Sequence, residues 1–322
     1  MIWRAAMALA SRGRLPILIF HRVLPKPDPL LPGEPSAEEF DALAGHIASR
    51  FRVLPLAQAA RDLYAGTLPP RALAITFDDG YANNLAVAAP ILKRHGLPAT
   101  VFVATGYLDG RCMFNDAIIE AFRGTVNSEL DLTPLRLGRH AVRNDGERRA
   151  AIDAVLRELK PLAAEARDRV AQDVLQRAGV PGPKDLMLTR ASVRALIPFG
   201  IEVGAHTVNH PILASTPGTI AWHEIRESKR ELEEITGAPV RVFAYPNGRP
   251  QLDYASEHVR MVREAGFGFA VSTAPGVASR SADPLQLPRF TPWTRHPLKF
   301  DLMMLRNLQH GPVQPRATPA AA

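Results

Sequence analysis

The chain has 322 residues with a formal net charge of +7 at pH 7, and 46% of the residues are hydrophobic, which is enough to build a large core. Its arginines are spread along the sequence without interleaved aromatic residues, so no nucleic acid partner is expected, although an anionic glycan or a membrane surface stays open. No uncharged apolar run reaches the length of a transmembrane helix, and the single cysteine, Cys112, excludes an intrachain disulfide and a cysteine metal cluster and is expected to be a packing residue.

The first twenty residues do not have the pattern of an export signal. The apolar stretch Ala5–Ala10 is short, and Arg12 and Arg14 follow it, whereas a signal peptide needs a longer apolar core. The next apolar run, Leu15–Phe20, is typical of a buried strand. We therefore expect a cytoplasmic chain, with export left open.

Short apolar strands alternate with helical patterns over the first hundred residues. The predicted strands are Leu15–Phe20, Phe51–Leu54, Leu73–Phe77 and Thr100–Ala104. The predicted helices are Ala37–Ser49 with Ser36 as its N-cap, Leu56–Tyr64, and Asn83–His95 ending at Gly96. This alternation predicts parallel βα units.

Residues 115–190 interrupt the alternation, because helical patterns occur there without a recognisable strand. The stretch Glu147–Gly179 is rich in Ala, Arg, Leu and Glu and carries apolar residues at helical spacing, such as Ile152, Val155 and Leu159. We predict a helical insertion near the mouth of the site.

Strands and helices alternate again in the last third of the chain. The predicted strands are Ile201–Gly204, Arg241–Ala244, Phe267–Val271 and Leu285–Leu287. The predicted helices are Thr219–Thr236, Tyr254–Ala265 and His296–Leu308. Seven or eight βα units indicate one closed or nearly closed α/β barrel over residues 1–310, followed by a disordered tail at 311–322.

Polar clusters follow directly on four of these strands. They are His21, the pair Asp78 and Asp79, the pair His206 and His210, and the segment 245–248. In a barrel of parallel strands the carboxyl ends of the strands converge on one face, where catalytic groups gather. The sequence therefore predicts that these four clusters form one site.

Asp78 and Asp79 form an adjacent pair that is costly to bury unless a cation or a shared proton is present. The alternative is that they cap the helix that follows. His206 and His210 have HxxxH spacing, which on a helix places two imidazoles on one face, as zinc ligands require. Thr207 replaces the glutamate of the HExxH proteases, so that class is excluded, while ordinary satisfied histidines remain the alternative. Two imidazoles and one carboxylate would leave a fourth zinc position open for water.

Three segments resemble the motifs of the polysaccharide deacetylase family. They are TFDDG at Thr76–Gly80, HTVNHP at His206–Pro211 and FAYPNG at Phe243–Gly248, and their order and separations agree with that family over roughly residues 17–289. The resemblance implies a distorted (β/α)7-type barrel and a metal-dependent hydrolase that removes N-acetyl groups from a carbohydrate, often from N-acetylglucosamine units.

The resemblance also implies roles for individual residues. Asp78 would be the general base, and one divalent ion, preferably zinc, would have as ligands Asp79, His206 and His210. A backbone N–H near Asn247 would hold the oxyanion, with Tyr245 and Pro246 in the same substrate-binding segment.

Two positions depart from the usual family pattern. The late motif that carries a histidine general acid in the family is not evident. The segment IFHRV resembles a rearranged motif order found in some relatives, so His21 is the candidate general acid. The alternative is that His21 packs at the end of a strand. The third motif has Ala244 and Tyr245 where many members have an arginine, and Arg289 in LPRF is the candidate replacement. Asn115 and Asp116 are expected either to line the substrate groove or to cap a helix.

The expected activity is removal of N-acetyl groups from a polysaccharide or oligosaccharide, with Asp78 taking the proton from metal-activated water. A related barrel amidase acting on a small non-sugar amide is the first alternative. A non-catalytic glycan-binding protein that retains the fold is the second. The polymer and the oligomeric state stay open.

Overall fold

A computed structural model describes residues 7–292, 294 and 296–309. The strands are β1 (Arg14–Leu15), β2 (Ile17–Phe20), β3 (Arg52–Val53), β4 (Ala72–Phe77), β5 (Ala99–Val103), β6 (Glu129–Asp131), β7 (Arg139–Ala141), β8 (Ile201–Ala205), β9 (Val242–Ala244), β10 (Phe269–Val271) and β11 (Ala278–Ser279). The α-helices are α1 (Ala37–Arg50), α2 (Leu56–Ala65), α3 (Ala89–Arg94), α4 (Phe114–Gly124), α5 (Asp145–Leu159), α6 (Ala164–Ala178), α7 (Arg190–Ala195), α8 (Gly218–Thr236), α9 (Ser256–Glu264) and α10 (Pro297–Gln309).

The main sheet is parallel and curled into a barrel. Its strands pair in the order β10-β9-β8-β5-β4-β2, and β3 pairs with the start of β4. The edges are joined by an extended segment that bridges β10 at Leu287 and β2 at Phe290. The predicted barrel is confirmed, with the predicted strand Leu285–Leu287 present as this bridging segment and not as a regular strand.

Side chains of the central strands alternate between the barrel interior and the helix layer. Ala72 and Ala74 belong to the interior cluster together with Phe102, whereas Leu73 and Ile75 pack in the larger cluster with the outer helices. Gly204 leaves room inside, because a Cβ at that position would collide with the ring of Phe102. This period of two places residues 76 and 78 of one strand, and residues 202, 204 and 206 of another, toward the interior.

The outer helices follow the predicted order with local differences. α1 begins with a full capping box, in which the Ser36 hydroxyl accepts from Glu39 N and the Glu39 carboxylate accepts from Ser36 N. The predicted helix Asn83–His95 contains a π-helical turn at Asn84–Ala88, just before Pro90, which has no N–H to continue the regular ladder. Among the described residues, no helix is both long and apolar enough to cross a membrane.

Residues 115–190 form a subdomain with its own hydrophobic core, which packs against Leu30 of the barrel. α4, α5 and α6 supply most of this core. The expectation of an insertion without strands was wrong, because β6 and β7 pair as an antiparallel hairpin. Leu130 is the one buried side chain in those two strands, so the hairpin has too short an apolar pattern to recognise in sequence. The predicted tail 311–322 lies outside the described residues.

Candidate active site

A cavity of about 850 Å³ opens at the carboxyl ends of the barrel strands. Its lining includes most of the side chains predicted from sequence, namely His21, Asp78, Asp79, Asn115, Asp116, His206, His210, Asn247 and Arg289. Tyr245 and Pro246 do not line it. The Tyr245 ring is buried in the core, where it stacks on Tyr254 at 3.8 Å and donates its hydroxyl hydrogen to Leu285 O. The convergence of four strand ends therefore assembles one polar site.

Asp78 and Arg289 form a buried, two-pronged ion pair. Nη1 and Nη2 of Arg289 each donate to one Asp78 oxygen at 2.7 Å, and both residues are at most 3% exposed. Arg289 also donates to Ser272 O and to the Thr76 hydroxyl. This geometry holds the carboxylate plane in one orientation.

The guanidinium decides the charge of Asp78. Burial raises the pKa of this carboxyl, but the adjacent Arg289 guanidinium, together with His206 and His21, outweighs burial and holds the pKa below its ordinary value. Asp78 is therefore ionised at neutral pH. Arg289, the candidate replacement for the arginine absent from the third motif, lies on the segment that closes the barrel and contacts Asp78 directly.

Asp79 points away from Asp78 because the backbone turns between them. Its φ is 74° and that of Gly80 is 85°, both in the left-handed region that few residues other than glycine adopt. Asp79 O accepts from Ala104 N at 3.2 Å, which fixes the turn. The interpretation of the pair as helix caps was wrong, because the following helical turn has Asn83 at its N-cap and no side-chain cap.

His206 and His210 both face Asp79. Their Nε2 atoms each lie 3.5 Å from Asp79 Oδ1, and one donor atom from each of the three side chains falls within 4.8 Å of the others. The two histidines do not share a helix, as the spacing had suggested. Thr207 and His210 have φ values of 64° and 51°, so a tight loop after β8 brings the imidazoles together.

Glu224 on α8 stabilises this loop from behind. Its carboxylate accepts from the backbone N–H of Val208 and Asn209 at 2.9 and 2.7 Å and from the Asn209 side-chain amide at 2.8 Å. Tyr107 adds a hydrogen bond from its hydroxyl to Asn209 O. Sequence reasoning missed Glu224, since one glutamate in an amphipathic helix carries no distinguishing signal.

The donor set fits a divalent cation. The Nδ1 atom of His206 lies 2.7 Å from Ala244 O, which assigns the proton to Nδ1 and leaves Nε2 free as a ligand. Burial lowers the pKa of His210 to about 4, so its imidazole is neutral. Burial also lowers the pKa of His206, but the carboxylates of Asp79 and Asp78 outweigh burial and raise the pKa above its ordinary value. Two imidazoles and one carboxylate match zinc with a position left open.

His21 lies at the mouth of the same cavity, directly after β2. Its side chain is exposed, and its backbone carbonyl accepts from Asn84 Nδ2 at 2.9 Å. The alternative of a histidine packed at a strand end does not agree with this exposure. On the opposite rim Asn247 has a φ of 57°, and its carbonyl accepts from the Thr273 hydroxyl.

Asn115 and Asp116 line the cavity and do not cap α4, whose N-cap is Met113 without a side-chain cap. Asp116 is 1% exposed and lies 3.7 Å from Arg22 Nη1. Its Oδ1 accepts from the Tyr81 hydroxyl at 3.4 Å, and its Oδ2 has no hydrogen-bond partner among the described residues. Burial raises the pKa of Asp116 to about 7. Sequence reasoning missed Arg22 as a site residue, although it follows His21 directly.

Comparisons with known proteins show the family of the chain and a shared fold. A family model described as polysaccharide deacetylase matches residues 65–270. YxkH of Bacillus subtilis (strain 168) is 22% identical over 270 residues, which cover 83% of this chain and 67% of the relative. The deacetylase PplD of Streptococcus pyogenes, solved with acetate, has a TM-score of 0.60 at 19% identity and covers 92% of this chain and 98% of its own. IcaB from Ammonifex degensii has a TM-score of 0.58 at 19% identity, and the match covers 92% of this chain and 97% of IcaB.

Proposed function

The chain belongs to the polysaccharide deacetylase family, and we propose that it is a metal-dependent hydrolase that removes N-acetyl groups from a glycan with N-acetylglucosamine-type units. One observation carries the proposal. Three donors from Asp79, His206 and His210 meet within 4.8 Å, and an ionised Asp78 held by Arg289 lines the same cavity. A glycan-binding protein without activity would have no use for the Asp78–Arg289 pair beside a metal site.

Some residues of the site would bind the metal ion, and others would transfer protons. Asp79, His206 and His210 would hold the ion, which supplies carbonyl polarisation and acidifies water when bound. Asp78 accepts the proton of the attacking water. Its low pKa makes it a weak base, but keeps it ionised over a wide pH range, and Arg289 keeps its oxygens in place.

The leaving amine needs a proton, because an amide nitrogen does not depart as an anion. His21 is exposed at the cavity mouth and is the group we propose for this step. The backbone beside Asn247, on the opposite rim, is the proposed donor to the developing oxyanion.

Chelation and two substitutions test the proposal. Removing the metal should abolish acetate release from chitooligosaccharides, and adding zinc should restore it. Asp78→Asn should lower kcat by about 10²–10⁴-fold, the usual contribution of a general base, with metal content unchanged. His206→Ala should lose both metal and turnover.

The control is Asp185→Asn, which neutralises an exposed carboxylate outside the cavity and should match the parent. Activity that survives chelation would exclude metal dependence, and an active Asp78→Asn would exclude that base. Acetate release from small amides but not from chitooligosaccharides would favour the small-amide amidase.

A further inference from the structure

Arg167 is a buried cation that forms no ion pair with the described residues, although the neighbouring Asp168 carboxylate interacts with it electrostatically. It lies in the first turn of α6, lines the cavity and is 4% exposed. Among the described residues its side chain forms neither an ion pair nor a hydrogen bond, and its Nε is buried without a partner. A buried guanidinium in this state is unfavourable unless something else supplies the counter-charge.

The surroundings of Arg167 supply only part of that compensation. Its guanidinium carbon lies 4.1 Å from the centroid of the Phe114 ring, a cation–π contact that is weaker than the cost of removing the charge from water. The contact fixes the position of the guanidinium and leaves its N–H groups free to donate. Arg167 and the proposed metal ligand His210 line the same cavity.

Lys160 adds a second uncompensated charge on the same wall. It is the C-cap of α5, is exposed, and lines the same cavity. Within the part of the chain that the structure describes, it forms no ion pair. Arg22 and Arg289 differ from these two, because they face the carboxylates of Asp116 and Asp78.

We propose that the insertion recognises an oxyanion, a carboxylate or a phosphate group, carried by the glycan close to the acetamido group that is hydrolysed. The proposal rests on the proposed function and narrows its substrate class. Arg167 would bind the oxyanion with two parallel N–H donors, and Lys160 would attract it at the mouth. A neutral glycan would leave the guanidinium of Arg167 without a hydrogen-bonded anion among the described residues.

Three substrates of equal length test this on the full chain loaded with metal. One is a neutral chitooligosaccharide, one carries a hexuronic acid beside the N-acetylated sugar, and one carries a phosphate there. We expect kcat/KM for at least one acidic substrate to exceed the neutral value by about 10–100-fold, as charge-assisted hydrogen bonds allow. Arg167→Gln should remove this preference through KM and leave the neutral substrate within about threefold.

Matched variants separate recognition from folding. Arg169→Gln removes an exposed arginine from the same helix and should keep the preference. Arg167→Lys keeps the charge but loses the planar donors, so it should restore part of the preference. The Tm of Arg167→Gln should be equal to or above that of the parent, because an uncompensated buried charge is gone.

The outcomes distinguish this inference from the proposed function. Turnover of the neutral substrate at least as fast as both acidic ones would overturn the oxyanion site and leave the deacetylase proposal standing. A lower Tm and an equal loss on all substrates in Arg167→Gln would also overturn it, since Arg167 would then be structural. No acetate release from any of the three would contradict the proposed function itself.

Discussion

The barrel side and the insertion side of the cavity differ in how far their polar atoms are satisfied. On the barrel side, the Asp78 carboxylate accepts hydrogen bonds from Arg289, and His206 Nδ1 donates to Ala244 O. The Glu224 carboxylate holds the loop that carries His210. Around the insertion, three buried atoms of cavity-lining residues lack a hydrogen-bond partner in the described chain, two on the insertion itself and one on Arg22, which follows β2 and lies beside Asp116. They are Arg22 Nε, Asp116 Oδ2 and Arg167 Nε.

This difference separates chemistry from recognition. Groups that hold a metal or move a proton must keep one geometry through the reaction, so a satisfied network is favourable on the barrel side. Groups that bind a substrate need free donors and acceptors before it arrives. An unsatisfied polar wall is therefore what a substrate-binding surface requires.

The largest expected effect is on the barrel side, at Arg289. Arg289→Met should leave Asp78 buried without its cation, so its pKa should rise above the ordinary value and the acidic limb of kcat/KM should move to higher pH. Activity at neutral pH should fall by about 10²-fold or more, because the Asp78 carboxylate is no longer held in one orientation. The free energy of unfolding should fall by about 3–5 kcal/mol, because a buried charge has lost its partner. A pH series of acetate release measures the shift.

Arg289→Lys serves as the control for this change. Lysine keeps a positive charge beside Asp78, so the acidic limb of kcat/KM should lie close to its position in the parent. The two parallel hydrogen bonds of the guanidinium are still lost. If the acidic limb of kcat/KM does not shift in Arg289→Met, the guanidinium does not set the charge of Asp78. The polar groups of the barrel side would then not depend on one another as their contacts indicate.

A smaller effect should appear at Asp116, in the stability of the metal-free protein. Its folded pKa of about 7 lies above the unfolded value, so the native state binds more protons than the unfolded state between pH 4 and 7. Stability contributed by this group is present below pH 4 and lost as the pH rises through 7. Asp116→Asn should flatten that decline by on the order of 4 kcal/mol.

Urea unfolding at several pH values tests this expectation, with exposed Asp153→Asn as the matched control. If the free energy of unfolding declines equally with pH in Asp116→Asn and in the parent, the Asp116 carboxylate has hydrogen-bond partners in solution. The insertion side would then be less unsatisfied than its contacts indicate.

The smallest expected effect concerns the loop that carries His210. Glu224→Gln can no longer accept three hydrogen bonds, because one oxygen becomes an amide donor. Metal affinity should fall by about 10–100-fold with every ligand intact. Competition with a chelator measures the affinity, and exposed Glu234→Gln on the same helix should match the parent. Unchanged affinity in Glu224→Gln would show that the loop holds its shape without this carboxylate.

The sequence by itself determined the strands of the main sheet, their parallel arrangement and the face on which the polar clusters lie. Buried apolar runs such as Ala72–Phe77 are local patterns, and a strand period of two places Asp78 in the inward register of Ala74 and Thr76. The adjacent aspartates and the HxxxH spacing are local as well, and the motifs that contain them indicated the family.

Only the tertiary structure decided which charges meet. Asp78 and Arg289 are 211 positions apart and pair because the last segment closes the barrel beside β2. The turn that brings His206 and His210 together depends on Glu224 from another element, and Arg167 is one of several similar arginines until α6 packs over the cavity. Such contacts depend on long-range packing, because neither the strength of an ion pair nor its absence is encoded in local sequence periodicity.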